Sequence, residues 1–210
     1  MNTKLGFLPL AACLLLGSAP LGSATAQGQG DMRMGQGRMN AAQVEKLTMA
    51  WPKAAREAVK FMTGKYGPPA AITADAALWS QAGPWKRTIV FRAEVPHRFP
   101  MPHTDVMQQW IDYRAPPSVY DELARYDGSV VLERTSGEIS ARCDKEAANF
   151  LALNLADEIV KGKTSVDAAR KKYGEQIMAM KAGKPAPYTE KLLFTVTGGT
   201  QDPDEPLTDM

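Results

Sequence analysis

The chain has two histidines, His97 and His103, six residues apart in the run "VPHRFPMPH" (Val95 to His103), with Met101 and three prolines between and around them. Imidazole nitrogen and thioether sulfur are donors that copper accepts. His97, Met101 and His103 therefore form a candidate site for copper or another transition metal. Two histidines leave such a site short of ligands, and Asp105, Met107 or Cys143 would have to complete it. Pro96, Pro100 and Pro102 favour extended or polyproline geometry at ~3 Å per residue, which holds the two rings roughly 20 Å apart unless the chain turns sharply. The alternative reading is a stiff connector whose imidazoles make ordinary hydrogen bonds.

Other chemistry-bearing residues are scattered. Cys143 is a candidate nucleophile because it stands just before an expected helix N-terminus, and His97 or His103 would serve as its base. The competing reading is a small buried hydrophobe ending a strand. Trp79 and Trp85 flank an expected hairpin turn, where they form either an aromatic platform for a ligand or part of the core. Asp112, Asp121, Glu133 and Glu138 could line a cleft, although charges on strands and short helices usually face solvent. Met32, Met34 and Met39 lie in a Gly- and Gln-rich stretch that could assist Cu(I) binding or be plain linker. No nucleophile elbow, Ser-x-x-Lys, His-Glu-x-x-His or phosphate loop occurs, and "DPDE" lacks the glycine and spacing of a calcium loop.

The elements that must position these residues read as follows. Asn40 with Gln43 predicts a capping box, and Pro52 suits the first turn of a second helix carrying Ala55, Val59 and Met62, ended by Gly64 and Gly67. "ALWSQAGPWKRTIVFRAEV" predicts two strands about a Gly-Pro turn, with Thr88, Val90 and Arg92 on one face and Ile89, Phe91 and Ala93 on the other. "MQQWIDYR" predicts a third strand, with a helix as the alternative, and "PSVYDELARY" a short helix capped by Ser118. "SVVLERTSGEISARC" predicts a hairpin turning at Ser136-Gly137. Asp144 is expected to cap a helix over 145–161 with a stripe of Ala147, Leu151, Leu155 and Ile159, stopped by Gly162. Thr164 with Asp167 opens a last helix. This order predicts an α+β fold, a mainly antiparallel sheet with helices packed on one face.

Compartment and domain limits follow from the ends. Residues 1–26 read as a signal peptide, with Lys4, a short apolar run and Ala24-Thr25-Ala26 predicting cleavage before Gln27. Leu10-Ala11-Ala12-Cys13 also matches a lipoprotein box, the one route to a membrane, through a lipidated Cys13. No second stretch reaches the ~20 apolar residues of a membrane helix. Cleavage after Ala26 leaves 184 of the 210 residues, with 24 basic against 23 acidic side chains and Cys143 as the remaining cysteine. That charge balance, without any familiar motif, argues against nucleic acid as a partner. A leader over 27–39, one domain over 40–195 and a loose acidic tail over 196–210 complete the organisation.

"WPKAAREAVKFMTGKYGPP", "GPWKRTIVFR", "PHRFPMPH" and "ERTSGEISARCDKEAANFLALNLADEIVKGK" together resemble a family of exported bacterial proteins with no assigned activity. The resemblance spans most of 51–194 and implies an envelope location and a single domain; it transfers no catalytic residue. With no complete catalytic constellation, the expected function is a non-catalytic binding or accessory protein that meets an envelope protein or small ligand through His97, His103, Trp79 and Trp85. Metal binding through His97, Met101 and His103, and thiol chemistry at Cys143, are the alternatives.

Overall fold

The computed structural model describes residues 39–207. The signal segment with Cys13 and Ala26, leader residues Met32 and Met34, and the last three residues lie outside them. At helix α1 (Ala41–Thr48), Asn40 and Gln43 cap one another: Gln43 N–H donates to the Asn40 side chain at 2.9 Å, and Asn40 N–H to Gln43 Oε1 at 2.8 Å. Helix α2 (Lys53–Tyr66) begins directly after Pro52 and ends at Gly67, whose φ of 86° only glycine adopts freely. Its Ala55, Val59 and Met62 are buried, as their spacing predicts.

Six strands follow: β1 (Ala71–Ile72), β2 (Ala76–Ala82), β3 (Trp85–His97), β4 (His103–Asp112), β5 (Val130–Glu133) and β6 (Glu138–Cys143). They form one antiparallel sheet in the order β1-β2-β3-β4-β6-β5. Register partners share a face. The pairs Ala77–Val90, Trp79–Thr88, Val90–Met107, Gln109–Ala141 and Ile111–Ile139 therefore define the inner side. Helices α1 and α2 cover the β2–β4 half of that side, where Val44, Trp51, Val59 and Met62 meet Ala77, Trp79, Val90 and Met107. The rest lies under α3 (Tyr120–Tyr126), α4 (Glu146–Val160) and α5 (Val166–Lys181), with Leu123, Tyr126, Leu151, Leu155, Ile159 and Tyr173 closing on Ile111 and Ile139. Arg87, Ile89, Gln108 and Trp110 on the outer face stay half-buried. The fold is α+β with its helices on one face of the sheet. No described helix is long and apolar enough to cross a membrane.

Four local expectations need correction. Ser118 caps nothing: Pro117–Val119 forms a 3-10 turn, and α3 starts at Tyr120 after it. Asp144 does not cap α4, which begins at Glu146 without a side-chain cap; the Asp144 carboxylate meets the Cys143 thiol and Lys145 instead. The cap of α5 is Ser165, one residue beyond Thr164, accepting from Ala168 N–H at 3.3 Å. The expected loose tail is docked as far as Asp204. Thr200 is buried and donates to the Gly137 carbonyl at 2.6 Å, Asp202 N–H donates to the Arg134 carbonyl, and Asp204 pairs with Arg134. Composition hid this, because the docking depends on the missing side chain of Gly137, where a Cβ would stand 2.2 Å from the Thr200 carbonyl carbon.

Candidate metal centre

The proline-rich run is a sharp hairpin, not an extended spacer. β3 ends at His97 and β4 begins at His103, directly paired, and the connection contains a cis Phe99–Pro100 peptide. The two-residue repeat of a strand puts His103 and Asp105 on one face, and pairing places His97 opposite His103. The imidazole centroids are 4.9 Å apart. Farther back, β3 spends residues 91–94 where β4 has Val106 alone, a bulge that re-aims the strand before the site. The turn is held down by α5: Phe99 packs on Tyr173 at 4.9 Å, and the Arg170 guanidinium lies 3.9 Å over the Phe99 ring.

Three donor atoms converge there. One atom each from His97, His103 and Asp105 lies within 4.8 Å of the others. His97 Nδ1 is 3.2 Å from one Asp105 oxygen, and His103 Nε2 is 3.1 Å from the other. These are hydrogen-bond lengths, yet the angles are wrong: His97 Nδ1, His103 Nε2 and Asp105 Oδ1 are all buried without a hydrogen-bond partner. Asp105 itself is only 5% exposed. Donors bound at about 2.0–2.2 Å to one ion stand about 2.8–3.6 Å apart along the edges of an octahedron or tetrahedron; each imidazole meets a different Asp105 oxygen at such a distance, and the set with one atom from each residue lies within 4.8 Å.

The outward ring nitrogens are also provided for. His103 Nδ1–H donates to the Met101 carbonyl at 2.8 Å, leaving Nε2 turned inward. His97 Nε2 points toward Asp127 Oδ1 at 3.8 Å. Asp127 accepts from the Ser129 N–H at 2.9 Å and the Ser129 hydroxyl at 2.7 Å. The carbonyl behind His103 is the kind of outer partner that fixes a metal-binding imidazole; the Asp127 carboxylate adds a charge behind His97 but stands beyond hydrogen-bond length. Asp105, followed by contact with the Cys143 thiol, pushes the His103 imidazolium up to about 11 against the opposing effect of burial. Burial raises Asp127, against the Ser129 hydrogen bonds.

The remaining candidates are placed elsewhere. Met101 turns its sulfur to the Lys181 ammonium and contributes only its backbone to the histidine pair. Met107 is fully buried under α2, and Met39 packs on the same cluster. Both tryptophans belong to the core, which removes the aromatic platform. Trp79 is 3% exposed and donates to the Gly67 carbonyl, while Trp85 is 1% exposed, stacks on Phe150 at 4.8 Å and donates to Glu146. Asp112 and Glu138 pair with Lys86, and Glu138 also with Arg87. Asp121 and Glu133 stay at the surface, Asp121 beside Arg125 and Glu133 accepting from Ser136 N–H. Cys143 is 6% exposed, and burial pushes its thiol up while His103 pulls it down.

Asp127 was not singled out by the sequence reading, since Asp-Gly after a helix reads simply as a turn. No family of known proteins, no curated protein and no solved structure matches the chain.

Proposed function

We propose that the chain is an exported protein of the bacterial envelope that binds a divalent transition-metal ion without catalysis, through His97 Nδ1, His103 Nε2 and the Asp105 carboxylate. The observation that carries this reading is the convergence of three buried donors that fail to hydrogen-bond one another. Two imidazoles and one carboxylate suit borderline ions such as zinc or copper(II). Copper(I) is the poorer fit, because the Met101 thioether faces Lys181 rather than the histidines. A thiol enzyme is also less well supported: His103 touches the Cys143 thiol, but that thiol is 6% exposed and burial keeps its pKa raised.

Protein purified without a tag and dialysed against zinc or copper(II) should hold one equivalent of metal, lost in the His97→Ala/His103→Ala double variant. A wild-type chain that retains no metal overturns the proposal. Export rests on the N-terminal signal pattern. Intact-mass analysis of secreted or periplasmic protein should find the 184-residue form beginning at Gln27, and a lipidated form beginning at Cys13 would replace it.

A further inference from the structure

Helices α1 and α2 leave between them an open groove of about 580 Å³, a volume within the range of ligand sites. Val44 and Val59 make an apolar floor, and Met49 stands 68% exposed at the lip. Gly64 forms part of the wall. Glycine inside a helix is unfavourable, and neither backbone nor packing asks for one here. Gly64 has no positive φ, and a Cβ would meet nothing within 4 Å. Its missing side chain leaves open a space that any larger residue would fill. The same two helices carry Lys46, Lys53, Arg56, Lys60 and Lys65 against Glu45 and Glu57, whereas the whole chain has 25 cations against 23 carboxylates. Along the groove Lys53 pairs with Glu57 at 3.8 Å. Arg56 and Lys60, one helical turn apart, are paired with no carboxylate among the described residues, and Arg56 Nη1 donates to the Met49 carbonyl at 3.3 Å. Two unpaired cations against the single acid Glu45 leave the wall positive.

We propose that this groove binds a monomeric anionic amphiphile of the fatty-acid class, its acyl chain along the apolar floor and its head group on Arg56 and Lys60. The inference stands apart from the metal site and does not depend on it. From Lys53 to Gly64 the α2 wall runs roughly 16 Å, enough for a medium-length acyl chain lying extended. Two helices present no free sheet edge, so an extended peptide finds no backbone partners there. An acyl chain needs none, since removal of its apolar surface from water is the whole of its attraction. The unpaired cations select an anionic head over a cationic one.

The test is isothermal titration of the mature chain with sodium decanoate below its micelle concentration. Decyltrimethylammonium supplies the same chain under the opposite charge. One saturable decanoate site is expected, with the cationic surfactant weaker by about tenfold or more. Gly64→Leu fills the groove while improving helix propensity and should abolish decanoate binding. Gly64→Ala should fall between, and circular dichroism checks that both variants fold. Arg56→Gln/Lys60→Gln should weaken decanoate about tenfold and erase the preference over the cation. Vesicles of phosphatidylglycerol provide a membrane arm: a chain that sediments with them but binds no decanoate has a membrane-docking face, which overturns the groove. Equal affinity for the two surfactants, or a Gly64→Leu protein that binds decanoate as wild type does, overturns it as well.

Discussion

Asp105→Asn is the sharpest perturbation of the site, since it keeps the side-chain shape and removes the charge that both imidazoles face. Asp105 is one of three donors, each turned inward, and among the described residues no second carboxylate stands as close to both rings. Loss of an outer partner typically weakens a metal site 10–100-fold, so loss of a direct donor should cost about 100-fold or more, close to 2.8 kcal/mol. Ligand linkage turns this into a melting experiment. With free zinc at about 1,000 times the wild-type Kd the ion stabilises the fold by about 4.1 kcal/mol, and a 100-fold weaker site leaves about 1.4 kcal/mol. The difference of about 2.7 kcal/mol corresponds to roughly 5–11 °C at this chain length. The assay is thermal unfolding of both proteins with zinc and with chelator, paired with competition against a chromophoric chelator. In chelator Asp105→Asn should itself melt lower, because it loses the stability that the raised His103 imidazolium gains from Asp105, so the zinc-induced gain of each protein is the quantity compared. A zinc-induced gain equal to that of wild type, with competition constants within threefold, would refute the assignment of Asp105 as a ligand.

Further outcomes follow from the same structure. Asp127→Asn should weaken zinc 10–100-fold, because His97 Nε2 loses the charge behind it; unchanged affinity would confine Asp127 to the turn. Glu138→Gln removes a carboxylate 4% exposed between Arg87 and Lys86 and should cost about 2 kcal/mol at pH 7, below the usual buried-pair penalty because both cations still touch water. Burial would raise Glu138, but Arg87 and Lys86 outweigh it and hold its pKa below the ordinary 4.5. Its contribution is therefore present above that value and lost as pH falls through the folded pKa, so urea melts at pH 3 should show a smaller gap than at pH 7. A gap independent of pH contradicts the ion pair. Gly137→Ala places a Cβ against Thr200 at a φ of 65°, and should lower stability by about 2 kcal/mol and expose the Thr200–Asp204 segment to protease; protection equal to wild type would mean the tail is held by something else. Cys143 should resist thiol reagents at neutral pH until unfolding, as a 6% exposed thiol with a raised pKa does, and rapid native labelling would reopen the nucleophile reading.

Local order was largely written in the chain. The Asn40/Gln43 box, the stop at Gly67, the strand pair about Gly83-Pro84 and the hairpin at Gly137 all fall where residue chemistry places them. Each is set by contacts within a few residues. Helix starts were less legible where several cap-competent residues stood together: Asp144 and Ser118 had the right chemistry, yet neither makes the capping bond, whose place is fixed by where the preceding strand or turn ends.

The candidate site divides along the same line. The residue types were visible, and so was the need for a further donor. Four things were not. β4 starts at His103 rather than at the expected Met107, and that earlier start is what puts His103 and Asp105 on one face. The reversal that brings His97 over His103 depends on α5 gripping Phe99 and Met101 from seventy or more residues away. Asp127 reaches His97 because α3 ends beside β3, a neighbour relation no local pattern encodes. The fate of the tryptophans, buried against Gly67 and Glu146, was equally a matter of which surfaces met. Sequence by itself determined the alternation, caps and turns that make each element, because those energies are local. Only the tertiary structure decided which donors face one another, because burial and convergence are properties of surfaces brought together from distant parts of the chain.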